Sequence, residues 1–474
     1  MSEDTARSAL PQGGPLRGDL TQGPLIKTLA LFALPVLLGN VLQSLNGSVN
    51  SIWIGRLLGE DALAATATSN IVMFLVFAAI FGISMATTVH VGQNFGARNF
   101  AAMRRSFGAG LGLCLMLSAL ISALGWIGAP RLLDLLSLPG QAPGLALDYL
   151  RVIFLVMPAM TLTVLVSSAM RGAGDAQTPF YFQILVVLLD IAFNPLLIAG
   201  IGPFPKLGIV GAAVATAIAT LTGLIGLLGW IYWRDLPIRL KGRELRYLWP
   251  VREERSYLIT KGVPMGFQLL VISGAGVIMI GLINREGLNF AAGYGALLQL
   301  WNYIQMPALA ISAAVSAMVA QHIGARREGR VDAISFAGAG ANIAITAVLV
   351  TIMLLFGRPL LALFLGADSP AIPISLHIQS LAIWTYLPFG VMIVLFGTLR
   401  SYGVVLTQIA ILFTAMYVVR LSAYALLYPR LGPDALWYSL IISSVTSLVL
   451  TLLVYFYGGW RKVVAAQLTQ SSFG

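Results

Sequence analysis

Long apolar runs with almost no charge recur along the whole chain, and they limit its fold more than any other feature. Twelve are visible, near 26–50, 61–90, 104–127, 146–170, 178–200, 208–232, 256–283, 290–322, 333–356, 371–399, 403–427 and 433–457. About 20 apolar residues let a helix cross a hydrocarbon layer ~30 Å thick. The runs are continuous rather than alternating, which rules out a transmembrane β-barrel. A soluble surface is ruled out as well. Charged residues make up only 10% of the 474, against roughly 25% in a soluble domain. The chain reads as an all-α polytopic membrane protein with twelve transmembrane helices.

An even number of spans puts both termini on one side. Loops on that side carry 21 Lys and Arg, and the opposite loops carry 6. Basic residues collect in cytoplasmic loops, so both termini are expected in the cytoplasm. The net charge of +11 follows from those loops, and no nucleic-acid partner is expected. Residues 1–24 begin with Glu3 and Asp4 and have no apolar core. They read as a cytoplasmic tail rather than a signal peptide, and 459–474 reads as a second tail. The longest loop, 234–255, mixes charges with Tyr247 and Trp249 and is expected to rest on lipid headgroups. The single cysteine, Cys114, has no partner for a disulfide, and the three histidines are scattered. No Cys/His metal pattern is present.

That loop separates two similar halves, 25–233 and 256–458. Val91-Gly92-Gln93-Asn94-Phe95-Gly96-Ala97-Arg98 returns as Val319-Ala320-Gln321-His322-Ile323-Gly324-Ala325-Arg326, at an offset of 228. Pro35 and Pro264, Pro130 and Pro359, and Arg171 and Arg400 are each 229 apart. Six spans per half insert both halves the same way up. The two six-helix lobes should therefore be related by an axis along the membrane normal. Parallel repeats of this kind are a transporter architecture with the substrate path between the lobes.

At these residues the chain resembles the multidrug and toxic compound extrusion (MATE) family of secondary transporters, nearest its DinF-like branch. The resemblance covers about 25–460. It rests on the 6+6 layout, Gln93–Ala97, Arg171-Gly172-Ala173-Gly174-Asp175 and the end of the first span at Trp53-Ile54-Gly55-Arg56-Leu57. It implies export of amphipathic, often cationic, drugs or metabolites in exchange for H⁺ or Na⁺, by alternating rocking of two lobes. No cofactor is implied beyond the coupling ion, and a monomer is expected. In the loop motifs, Gly96, Gly172 and Gly174 are expected to permit tight turns at positive φ, and Asp175 to cap the next helix. Arg98 and Arg171 are expected to bridge loops.

An ionisable group inside a span is costly and marks function by default. Asp190 is the acid placed deepest, in Leu188-Leu189-Asp190-Ile191-Ala192-Phe193-Asn194-Pro195. Asn194 lies one turn on and shares its face. The resembled family usually carries Asn first and Asp four residues later, so the order here is reversed. It also places an Asp late in the first span, where this chain has Asn50, and a Thr in the sixth, matching Thr216. The resemblance thus implies an ion-coupling site at Asp190, Asn194, Asn50 and Thr216, with one carboxylate where relatives have two.

Other polar residues point to a cavity. Asn40, Gln43, Gly47 and Asn50 fall on one face of the first helix. In the eighth, Gln299, Asn302 and Gln305 recur every three residues beside Met306, and Gln268 adds an amide from the seventh. Amides with aromatics and Met make a forgiving wall for large amphipathic ligands. Arg420, deep in the eleventh span, sits one residue past the position answering to Asp190. It is a candidate charge partner for that carboxylate, and a fixed cation there should disfavour cationic cargo. Rival functions are weaker. No Gly-x-x-x-x-Gly-Lys-Ser/Thr loop supports an ATP-driven pump, and no His-Glu-x-x-His helix supports an intramembrane protease. A lipid-linked saccharide flippase of the same superfamily is the nearest alternative, and an intramembrane enzyme a distant one.

Overall fold

The computed structural model describes residues 18–136 and 142–461. Among them every regular element is helical. The first lobe is α1 (Leu25–Leu58), α2 (Glu60–Gly96), α3 (Phe100–Leu136), α4 (Ala142–Gly172), α5 (Gln177–Ala199) and α6 (Ile209–Trp233). The second is α7 (Arg252–Asn284), α8 (Leu288–Gly324), α9 (Val331–Leu355), α10 (Gly357–Leu365), α11 (Ala371–Ala382), α12 (Tyr386–Ser401), α13 (Leu406–Phe413), α14 (Arg420–Leu431) and α15 (Ala435–Tyr457). The extra pieces arise because single helices of the first lobe are broken in the second. α9 and α10 together answer to α3. α11 and α12, joined by a 3₁₀ turn at Ile383–Thr385, answer to α4. α13 and α14, joined by a π turn at Thr414–Val419, answer to α5.

Eleven helical stretches among the described residues are long and apolar enough to cross a membrane, and the last runs 52 residues from Leu406 to Tyr457. As one rod it would be roughly 78 Å long, more than twice the hydrocarbon layer. A 3₁₀ turn at Gly432–Asp434 folds it back, and α14 packs along α15. The stretch is two spans, which restores the count of twelve. The first helix runs on to Leu58, so Trp53–Leu57 continue the span.

The apolar core shows how the lobes meet. One buried cluster joins Leu29, Phe32 and Ala33 of α1 to Ile311, Val315 and Met318 of α8 and Phe396 of α12. A smaller one joins Ala86 and Ala109 to Leu258 and Met265. All of these lie toward the end that carries the tails. At the other end the clusters separate. Ile54, Ala65, Phe154 and Ile198 belong to one lobe, and Met279, Leu297, Trp301 and Trp437 to the other. The lobes are closed on each other at the tail end and apart at the opposite end. Glycines make the closure tight. A Cβ on Gly82 would stand 2.1 Å from the Gly262 oxygen, the small-residue contact by which membrane helices pack without a hydrophobic driving force.

The loop between the lobes is ordered. A 3₁₀ turn at Gly242–Leu248 lies on α3 where Gly108 and Gly112 leave room, and a Cβ on Gly112 would meet the Leu248 oxygen at 1.7 Å. Arg104 pairs with Glu244 at 2.8 Å. Lys241, hydrogen-bonded to Asp235, holds that exposed carboxyl below the usual carboxylate range. Leu245, Trp249 and Val251 are exposed beside Arg243 and Arg246, a mixture suited to a membrane interface. Gly112→Val should displace this turn and lower stability by about 1–3 kcal/mol, read as a fall in the thermal midpoint. An unchanged midpoint would show that the clamp contributes nothing.

Candidate functional site

Three helices converge on Asp190. It lies on α5, is 1% exposed, and has Asn194 one turn on, fully buried. Its Oδ2 accepts from Asn46 Nδ2 at 2.8 Å and Asn50 Nδ2 at 2.7 Å, both on α1. Its Oδ1 accepts from Thr216 Oγ1 of α6 at 3.0 Å and Asn194 Nδ2 at 3.2 Å. Asn194 Nδ2 also donates to Asn50 Oδ1 at 3.0 Å. Four donors thus face one buried carboxylate. Each of its two oxygens accepts two hydrogen bonds. The amide oxygens of Asn46 and Asn194 are buried and accept no hydrogen bond. Rotated inward, they would add neutral oxygens to the carboxylate, which is the donor set of a hard cation.

The structure brings Asp190, Asn194, Asn50 and Thr216 into one cluster and adds Asn46, which the sequence reading passed over. The signal was the pair Asn46 and Asn50, one helical turn apart. The polar stripe expected on α1 is correspondingly rotated. Gly39, Gln43, Asn46 and Asn50 face α5, where Gln183 Nε2 donates to the Gly39 carbonyl at 3.1 Å and to Gln43 Oε1 at 3.2 Å. Asn40 is half-buried, and Gly47 looks onto open space. Asn46→Ala removes one donor and one orphaned oxygen. It should reduce ion-driven transport, by less than loss of the carboxylate itself, while downhill exchange of a preloaded substrate persists. Unchanged ion-driven uptake would remove Asn46 from the site.

On α8, Gln299 and Asn302 are exposed and Gln305 is half-buried, as is Gln268 on α7. Met306, expected to line the same wall, is only 6% exposed. Met306 therefore packs in the interior rather than lining the wall. Arg420 requires a second correction. It donates from Nε to Ser443 Oγ at 2.9 Å on α15 of its own lobe. Among the described residues no ion pair joins it to Asp190, whose oxygens are already engaged within the first lobe.

The repeated loop motifs hold the lobes closed. Gln93 Nε2 donates to the Ser401 carbonyl at 2.8 Å, and its counterpart Gln321 Nε2 donates to the Gly172 carbonyl at 3.1 Å. Gly96 and Gly324 are needed for close approach. A Cβ on either would stand 2.0 Å and 1.8 Å from the Gln321 and Gln93 oxygens. Gly96 and Gly172 do not take positive φ. Gly174 does, at 85°, and so do Arg98 and Arg326, each at 55°. Arg98 and Arg171 do not bridge loops as expected. Arg98 is exposed, and Arg171 bonds Ser168 on its own helix at 2.8 Å. The glutamines bridge instead. Asp175 caps α5, accepting from the Thr178 amide at 2.9 Å. The segment after residue 17 is part of the same closure. Leu20 and Thr21 are buried, the Leu20 amide donates to Gln321 Oε1 at 2.9 Å, and Gln321 donates to the Gly18 carbonyl at 3.2 Å. Among the described residues no group of three or more His, Cys, Asp or Glu could hold a metal ion.

Comparison with known proteins gives concordant matches. The MatE family model matches residues 35–196 and 264–425, one block in each lobe. The chain is 31% identical to the probable multidrug resistance protein YoeA of Bacillus subtilis, over 94% of this chain and 96% of that one. It is 26% identical to an FAD transporter of Shewanella oneidensis, over 81% and 84%. A solved structure described as the outward-facing conformation of a multidrug resistance MATE family transporter superposes with a TM-score of 0.86, at 20% identity, over 96% and 99% of the two chains.

Proposed function

The chain belongs to the multidrug and toxic compound extrusion family of membrane transporters, and we propose on that premise that it is a secondary antiporter. In this reading it exports amphipathic drugs or metabolites in exchange for H⁺ or Na⁺. It is a transporter and not an enzyme. One observation supports the coupling most directly: four donors and two unused amide oxygens surround a single buried carboxylate. A cation arriving at Asp190 neutralises it and turns the amides of Asn46 and Asn194 so that their oxygens face inward. Those amides sit on α1 and α5, so loading the site changes how the two helices pack. Ion and substrate drive opposite states only by binding them with different affinity.

With both tails in the cytoplasm, the closed end is the cytoplasmic gate and the separated end opens outward. In that orientation the exposed Gln43, Gln299 and Asn302 line the outward cleft. The other assignments belong to the same proposal: a monomer in a bacterial inner membrane, lipid at the linker, and no cofactor beyond the ion.

The test uses purified protein in liposomes with ethidium, riboflavin and flavin mononucleotide as probes of positive, neutral and negative charge. A pH gradient and a Na⁺ gradient are imposed separately. Uphill movement of a probe driven by one gradient, with tracer counterflow, is expected. Movement independent of both gradients would overturn the antiport reading.

A further inference from the structure

The second lobe carries a charge-inverted counterpart of the Asp190 site, and we propose that it takes the anionic group of a substrate. Before the eleventh span the repeat offset is 229, as at Arg171 and Arg400. After it, Gly202-Pro203 returns as Gly432-Pro433, at 230. The π turn at Thr414–Val419 lies between them, and a π turn accommodates one extra residue in a helix and is common at functional sites. With that residue counted, Asp190 answers to Arg420 itself. The partner helix is alike in kind: a hydroxyl of each lobe's last helix bonds the charged group, Thr216 of α6 to Asp190 and Ser443 of α15 to Arg420. At offset 229 on α7, Ala275 and Met279 replace Asn46 and Asn50. The amide oxygens that would face a cation are thus gone.

Among the described residues Arg420 is held by one side-chain hydrogen bond, from Nε, and its two Nη groups make none. Among the described residues no carboxylate lies within ion-pair distance of it. Buried aromatic side chains pack behind it. Tyr294 packs against Trp437 and Trp301, with centroids at 5.7 and 6.1 Å, and all three rings are buried. The indole N–H groups of both tryptophans are buried without an acceptor. A guanidinium in mid-span with no acid beside it is costly unless an anion completes it. Its planar fork matches a phosphate or carboxylate.

This proposal rests on the transporter reading but not on its ion coupling, so it is tested by binding without a gradient. Equilibrium dialysis is run in phosphatidylcholine nanodiscs with flavin mononucleotide and riboflavin, which share a ring and differ by the phosphate. Wild type is expected to bind the phosphorylated flavin at least tenfold more tightly. Arg420→Gln should erase that preference and leave riboflavin unchanged, and Arg420→Lys should restore part of it. Equal affinity for the two flavins in wild type, no binding of either, or loss of both together in Arg420→Gln would overturn the proposal. So would abolition of flavin mononucleotide binding by added phosphatidylglycerol, which would assign Arg420 to a lipid phosphate. Ion-driven transport that fails while the flavin preference holds would count against antiport alone.

Discussion

Asp190→Asn should abolish gradient-driven uptake, with a loss on the order of 100-fold, the upper range of a coupling free energy of 1–3 kcal/mol. The substitution keeps the shape of the side chain and removes the charge a cation would neutralise. It should not unfold the protein. The new amide can donate to one of the oxygens that lack a partner, on Asn46 or Asn194, while its carbonyl keeps part of the donor shell. Asp190→Ala differs. It leaves the amides of Asn46 and Asn50 without their acceptor, at roughly 1–3 kcal/mol for each group left unsatisfied, while Asn194 and Thr216 keep the Asn50 oxygen and the Ala212 carbonyl. The measurements are uptake into proteoliposomes under each gradient and the thermal midpoint of each variant. The expected pattern is loss of transport in both and loss of stability only in Asp190→Ala. Gradient-driven uptake surviving in Asp190→Asn would remove the carboxylate from coupling altogether.

Gly96→Leu and Gly324→Leu should each force the tail-side gate open. The added Cβ meets backbone oxygen of the facing motif at 2.0 and 1.8 Å. Backbone cannot step aside as a flexible side chain can, so the lobes must separate. The reporter is a cysteine pair at Ala97 and Ala325, in a background where the buried Cys114 is replaced by alanine. Cross-linking should be efficient with the glycines present and fall steeply with either leucine. A single cysteine at Leu20, now buried against the gate, should become reactive. Transport should drop at least tenfold, because a population held in one state no longer alternates. Persistent cross-linking with full transport would mean that the gate tolerates the extra volume and that the closure is looser than the contacts indicate.

Much of the architecture was legible along the chain because its causes are local. A run such as 208–232 is apolar whatever packs against it, and Asp175 before Gln177 and Thr178 caps a helix by its own geometry. The repeat was legible for the same reason, since anchors such as Arg171 and Arg400 need only counting. The limits appeared where one helix must choose a face. On α1 the residues Asn40 and Asn46 are equally polar by sequence, and only packing against α5 turned Asn46 toward Asp190. Met306 reads as wall until tertiary packing buries it. Arg420 showed one residue out of register because a π turn cannot be seen in a hydropathy pattern.

Hydropathy and spacing alone therefore determined that the chain spans a membrane twelve times, in two like-oriented lobes, with one carboxylate too deep to be incidental. Tertiary structure decided which groups surround that carboxylate, that Ser443 rather than Asp190 holds Arg420, and that the glutamines of the repeated motif close the gate. The reason is the membrane's cost for unpaired polarity. A buried charge declares in sequence that it must have partners, but those partners come from other helices, and only the packing of whole lobes selects them.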